Sequence, residues 1–85
     1  MKLTLRFFAS VREALGTPSD TVELPDSIAT VADVRAALVA RGGAWAAALG
    51  EGRTLRMACN QTMCKPDAAV KEGDEVAFFP PVTGG

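Results

Sequence analysis

A chain of 85 residues is one domain near the lower limit for a self-sufficient core, and a hydrophobic content of 48% suits a compact soluble fold. Nine basic against ten acidic residues, a pI near 5.2 and no basic run leave no electrostatic footprint for nucleic acid or an anionic membrane. With no histidine, no tyrosine and only Cys59 and Cys64 as thiols, the side chains do not supply self-contained catalysis, and a protein partner or a small molecule is favoured.

The first strand is written in Leu3, Leu5 and Phe7, which alternate with Lys2, Thr4 and Arg6 to give one buried and one more polar face. Phe8 interrupts the polar face; a place near a covered edge or on an interaction surface is open to it, but core packing is the expected case. Ser10-Val11-Arg12-Glu13 has the form of a capping box, so a short helix should start there and stop at Gly16. Arg12 reads as an exposed helix arginine. Thr21 to Leu24 alternates again up to Pro25 and should return beside the first strand. The main helix is expected from Thr30, whose hydroxyl can cap while Asp33 puts negative charge in the first turn. Val31, Val34 and Leu38 share one face of it, with Gly42-Gly43 closing it. Ala44 to Leu49 forms a second short helical segment, with Trp45 in a satellite core under a connecting loop. Leu55, Met57 and Cys59 mark a third strand, followed by the polar turn Asn60-Gln61-Thr62 and a brief extended piece from Met63 to Lys65.

The final strand, Glu75 to Phe79, must end at Pro80-Pro81, because proline has no amide hydrogen to give a ladder. One amphipathic helix covers one face of a small sheet, which gives a two-layer α+β domain. If the first and last strands run parallel in its middle, the tail is aimed away from one end. Two prolines favour a stiff polyproline II exit, and Gly84-Gly85 is as thin as a polypeptide can be. Extended, Pro80 to Gly85 reaches roughly 20 Å at about 3.3 Å per residue, enough to enter another protein's pocket. The α-carboxyl group is therefore the candidate reactive group. Glycines at a frayed chain end are the bland alternative. The two cysteines cannot complete a structural zinc site or an iron–sulfur cluster, so no metal is assigned, and they read as packing or surface thiols. No phosphate-cradling loop is present, so any ATP chemistry belongs to a partner. The N-terminus lacks the long apolar region of a secretion signal, which makes the cytoplasm the expected compartment.

Gly73-Asp74-Glu75-Val76-Ala77-Phe78-Phe79-Pro80-Pro81-Val82-Thr83-Gly84-Gly85 closely resembles the C-terminus of the small subunits of molybdopterin synthase, ubiquitin-like sulfur carriers of molybdenum cofactor synthesis. Phe7 to Glu13 resembles that family's first strand and helix start, and Asn60-Gln61 its turn after the third strand. The resemblance implies a β-grasp fold over residues 1–85, with residues 80–85 a functional tail. It further implies that a ubiquitin-activating-like adenylyltransferase uses ATP to adenylate Gly85, that a sulfur relay leaves a terminal thiocarboxylate, and that this sulfur goes to a cyclic pterin precursor. The catalytic pocket would lie in the large synthase subunit, in a heterotetramer of two small subunits on a large-subunit dimer. On this reading Gly85 carries the sulfur, Gly84, Thr83 and Val82 thread the channel, Phe79, Pro80 and Pro81 dock on the partner, and the chain itself binds no cofactor. Sulfur carriers for thiamine, cysteine or transfer RNA thiolation, a ubiquitin-like protein modifier and a pure interaction module stand as alternatives.

Overall fold

The computed structural model describes residues 1–50 and 52–81. In chain order the elements are β1 (Lys2–Phe7), α1 (Ala9–Leu15), β2 (Ser19–Glu23), α2 (Val31–Val39), α3 (Gly43–Leu49), β3 (Arg56–Cys59), β4 (Thr62–Cys64) and β5 (Glu75–Phe79). The strands form one mixed sheet in the order β2-β1-β5-β3-β4. β1 and β5 run parallel at its centre, with Leu5 opposite Val76 and Phe7 opposite Phe78, while the other pairings are antiparallel. This is the β-grasp arrangement that the resemblance implied, and it agrees with the two-layer α+β domain read from the order of elements.

The period-2 pattern of β1 does what it should: Leu3, Leu5 and Phe7 are buried and face the helices together with Val76 and Phe78 of β5 and Met57 of β3. Val31, Val34 and Leu38 cover them from α2, Val11 from α1, and Ala48 and Leu49 from α3. Trp45 packs at the rim of the same core, edge-on to Phe7 at 5.8 Å, and the Arg41 guanidinium lies 4.9 Å from its ring centre.

α2 begins as its sequence dictates. Thr30 Oγ1 accepts from the Asp33 amide at 3.2 Å, and Asp33 Oδ2 accepts from the amides of Ala29 and Thr30, which holds this carboxyl below the usual carboxylate range. α1 does not begin as expected. Phe8, not Ser10, is its N-cap: the chain reverses at Ala9 (φ 50°), and the Phe8 carbonyl accepts from both Val11 and Arg12. The helix therefore starts before the serine, whose hydroxyl caps nothing. Gly16, at φ 73°, ends α1 where the sequence placed its end.

A polar knot closes the far end of the sheet. Asn60 and Gln61, both at positive φ, make a two-residue turn between β3 and β4. The Asn60 side chain donates to Asp74 Oδ1 at 3.1 Å and accepts from the Glu75 amide at 3.0 Å, while its own amide donates to the Glu75 carbonyl. Asp74 is only 7% exposed, and its other oxygen accepts from the Lys71 amide at 2.9 Å. The hydrogen bond from Asn60 is the main cause holding the Asp74 carboxyl below its ordinary pKa; burial opposes it.

Removing that carboxylate should leave buried donors without partners, so Asp74→Ala should cost about 1–3 kcal/mol in urea unfolding at pH 7. Because the folded pKa is depressed, the contribution is fully present above the unfolded value of about 3.9 and is lost as pH falls through the lower folded value. The gap between the wild type and D74A should thus narrow below about pH 4; a gap that widened on acidification would contradict the assignment.

Candidate functional site

β5 is the central strand and also the strand from which the tail departs. Pairing with β1 on one side and β3 on the other fixes Glu75 to Phe79, with Phe79 opposite Arg56, and Pro80 then leaves the ladder. The launch point of the tail is thereby held by two neighbouring strands. Pro80 and Pro81 are both half-buried. The residues proposed to thread a channel and carry the chemistry, Val82, Thr83, Gly84 and Gly85, lie outside the described residues.

The pleat assigns the rest of the surface. Since Val76 and Phe78 face the helices, Ala77 and Phe79 face away from them, and cross-strand register places Arg6, Ala77, Ala58 and Met63 in one row on that open face. Phe8 stands two residues beyond Arg6 and meets Phe79 edge-on at 6.1 Å. Phe8 is 45% exposed and Met63 57% exposed, which makes them the two large apolar side chains most open to solvent among the described residues. An apolar stripe therefore runs across this face to the tail's exit, with exposed Met63 at one end, Phe8 and half-buried Phe79 at the other, and Ala58 and Ala77 buried between them at 8% and 7% exposure. Arg6 flanks it, 6.0 Å from the Phe8 ring centre and 3.8 Å from the Glu75 carboxylate. The other half of the face, over β1 and β2, is polar, with Lys2, Thr4, Ser19, Thr21 and Glu23.

The expectation that Phe8 packs in the core is overturned. The reversal at Ala9 keeps Phe8 in register with the outward row of β1, so it lies on the surface beside Phe79. Sequence reading also passed over Ala58, Ala77 and Met63. The outward parity of Ala77 could have been read from Val76 and Phe78, but the cross-strand partners of Met63 and Ala58 depend on a turn whose register a single chain does not announce.

Cys59 and Cys64 lie on the core side of the sheet and are both free thiols, partly buried against the core. Burial pushes both up from the ordinary thiol pKa, and at Cys59 the neighbouring Asp74 carboxylate adds to the rise; its thiol donates to Asp74 Oδ2 at 3.7 Å. Among the described residues no group of three or more His, Cys, Asp or Glu side chains is placed to hold a metal ion, and no helix is long and apolar enough to cross a membrane.

A parallel central strand that leaves the ladder at Pro80-Pro81, with helices on one face of the sheet and an apolar stripe on the other, defines a ubiquitin-like β-grasp domain. The ThiS family model matches residues 5–85, and the chain belongs to the ThiS family. A molybdopterin synthase sulfur carrier subunit of Haemophilus influenzae is 49% identical to it over 98% of this chain and 99% of its own. Among solved structures, small archaeal modifier protein 1 of Haloferax volcanii superposes with a TM-score of 0.75 at 28% identity, covering 95% of this chain and 98% of that one. A chain from the complex of subunits 1 and 2 of the molybdopterin-converting factor of Helicobacter pylori has a TM-score of 0.66 at 22% identity and full coverage of both chains, a likeness of fold.

Thiols with raised pKa values are poor nucleophiles, so iodoacetamide at pH 7 should modify Cys59 and Cys64 of the folded protein more slowly than a free cysteine. Peptide mapping over a time course measures this. Labelling of either residue as fast as in the urea-unfolded chain would show that the fold does not suppress it.

Proposed function

We propose that this chain is a sulfur carrier that acts as the small subunit of a molybdopterin synthase, with the α-carboxyl group of Gly85 as the atom-carrying end. The observation that carries the reading is the position of β5: the strand that runs into Pro80-Pro81 lies at the centre of the sheet, paired along both edges, and the apolar stripe ends beside that exit. The 49% identity to a sulfur carrier over nearly the whole chain supports the same assignment.

The chemistry follows from the group itself. A carboxylate with a reference pKa of about 3.3 to 3.7 is ionised at neutral pH and is a poor electrophile. An adenylyltransferase partner would let the Gly85 carboxylate attack the α-phosphate of ATP, releasing pyrophosphate and leaving an acyl adenylate. A sulfur donor would then displace AMP, and the thiocarboxylate so formed would carry a nucleophilic sulfur. In the large subunit that sulfur would bond to a carbon of the pterin precursor with loss of an oxygen substituent, and water would then cleave the acyl–sulfur bond, leaving the sulfur on the pterin and the carboxylate on Gly85 for another cycle. ATP is thus the partner's cosubstrate, and acid–base groups come from the large subunit. Val82, Thr83 and Gly84 would span its channel, while Phe79, Pro80 and Pro81, joined by Phe8 and Met63, would form the docking surface. A heterotetramer, with a small subunit on each half of a large-subunit dimer, fits a carrier that uses one face and one end. The cytoplasm fits as its compartment, since Cys59 and Cys64 are free and not joined.

Incubation with the adenylyltransferase, ATP and a sulfur donor should replace one oxygen by sulfur at Gly85 in the intact mass. Deleting Gly85 should abolish pterin thiolation while leaving partner binding. An adenylate that forms but is never sulfurated would count against the reading, and an isopeptide-linked ladder would favour a protein modifier. Phe8→Ala removes a ring already half in water, so the thermal midpoint should hold within a few degrees while binding to the large subunit weakens about tenfold or more. Unchanged binding by calorimetry would remove Phe8 from the docking surface.

A further inference from the structure

A depression of about 340 Å³ opens beside the tail's exit, lined by Ser10, Ala14 and their neighbours on α1, by the segment from Gly52 to Leu55 and by Pro80. Among the described residues none in its lining is acidic, and one is a positioned arginine. Arg53 Nε donates to the Ala47 carbonyl at 3.1 Å, which fixes the plane of the guanidinium. Among the described residues its two terminal nitrogens have no hydrogen-bond or ion-pair partner. The main chain that carries Arg53 is itself clamped. Arg35 on α2 donates from Nε to the Leu49 carbonyl at 2.6 Å and from Nη2 to the carbonyls of Gly50 and Arg53, each at 2.8 Å. One arginine thus ties the α3–β3 connection to the main helix, and the second rests on the end of α3 with its fork unused.

The geometry points to a receptor for a carboxylate side chain, and we infer that an Asp or Glu on the surface of the protein that receives the tail docks on Arg53 in this depression. A guanidinium with Nε already bonded can offer its two terminal N–H groups as a parallel pair to the two oxygens of a carboxylate, and little side-chain entropy remains to be lost. The Ser10 and Thr54 hydroxyls in the lining offer further donors. Charge complementarity selects the occupant: Arg12 on α1 and Arg56, opposite Phe79, are exposed at the same end of the sheet with Glu13 as the exposed acid beside Arg12, although the chain as a whole carries a net charge of −1. Pro80 lines both the depression and the exit, so a partner that takes in the tail comes within reach of the depression from the α1 side. The inference rests on the proposed function for the existence of that partner, and it adds a charged contact to an apolar one.

The test is calorimetric titration of the full chain and its Arg53→Gln, Arg53→Glu and Arg53→Lys variants into the cognate large subunit at several salt concentrations. R53Q should weaken binding about tenfold and R53E more, with a shallower salt dependence for both. R53K keeps the charge but loses the fork and should fall between wild type and R53Q. Thermal midpoints should be nearly unchanged, since Arg53 is exposed. Reversal of one Asp or Glu on the large subunit to Lys should restore R53E, and rescue by none of them would overturn the inference. Wild-type binding with R53E within twofold of it would also overturn the docking contact while leaving the functional reading intact, whereas a wild type that binds no large subunit would sink both. If the R53E effect vanished in a chain lacking residues 82–85, the arginine would be serving the chain's own tail, and the inference would be wrong.

Discussion

The parallel pairing of β1 with β5 is the contact on which the rest of the molecule depends. Both strands are interior, so each is hydrogen-bonded along both edges, and Leu3, Leu5, Phe7, Val76 and Phe78 project from them into one core. A parallel pair cannot be joined by a tight turn, and here almost the whole chain lies between its two members. Folding the last strand into the centre therefore requires everything before it to be in place, and the last residues of the fold are among its best anchored. A tail leaving from an edge strand or a terminal helix would share the fraying of its base. This tail leaves from the centre, and the proline pair converts a fixed strand end into a fixed direction.

The same pairing also divides the two faces of the sheet. The helix face uses the large apolar residues, and what remains for the open face is Ala58 and Ala77 in the middle, small enough to lie low, with Phe8, Phe79 and Met63 standing around them. A stripe of this composition is more than scattered surface hydrophobicity, because its members are contiguous by register and end at the exit. Arg6 and Glu75 pair beside it, which keeps those charges occupied with each other. Apolar contact there and charge at Arg53 would give a partner two distinct ways to recognise one end of the domain.

Much of this was legible in the sequence, and what was not has a physical reason. β1, β2, α2 and β5 follow from strict periodicity and end signals, so Leu3, Leu5, Phe7, Val31, Val34 and Leu38 could be placed in the core and Gly16 and Pro80 at boundaries. Ser10 misled because a capping box is a local signal, and the reversal at Ala9 had already begun the helix. Phe8 misled because hydrophobicity does not say which face a residue takes when the strand ends beside it. No local pattern marks Asp74 as a buried acceptor, because its partners, Asn60, Lys71 and Cys59, are brought to it by a hairpin and a turn. Arg35 and Arg53 carry no local signal of their roles either, because the carbonyls they bind are recognisable only once α3 has ended in space.

The way the fold handles its own reactive groups bears on what it can be for. Its two thiols are the only side chains with ready nucleophilic chemistry near neutral pH, and both are turned toward the core, where burial, and at Cys59 a carboxylate as well, keeps them protonated. A protein that worked through these side chains would place a cation or a helix terminus beside them; this one places Asp74 there. The carboxylate that sets β5 in position is thus the one that quiets Cys59. Such an arrangement suits a carrier loaded with sulfur at its chain end, since a thiolate on the body could attack the acyl adenylate in place of the sulfur donor, displacing AMP and leaving an unproductive thioester. Stabilising the strand and suppressing the thiol are then one electrostatic act, which leaves reactivity to a group that has no side chain at all.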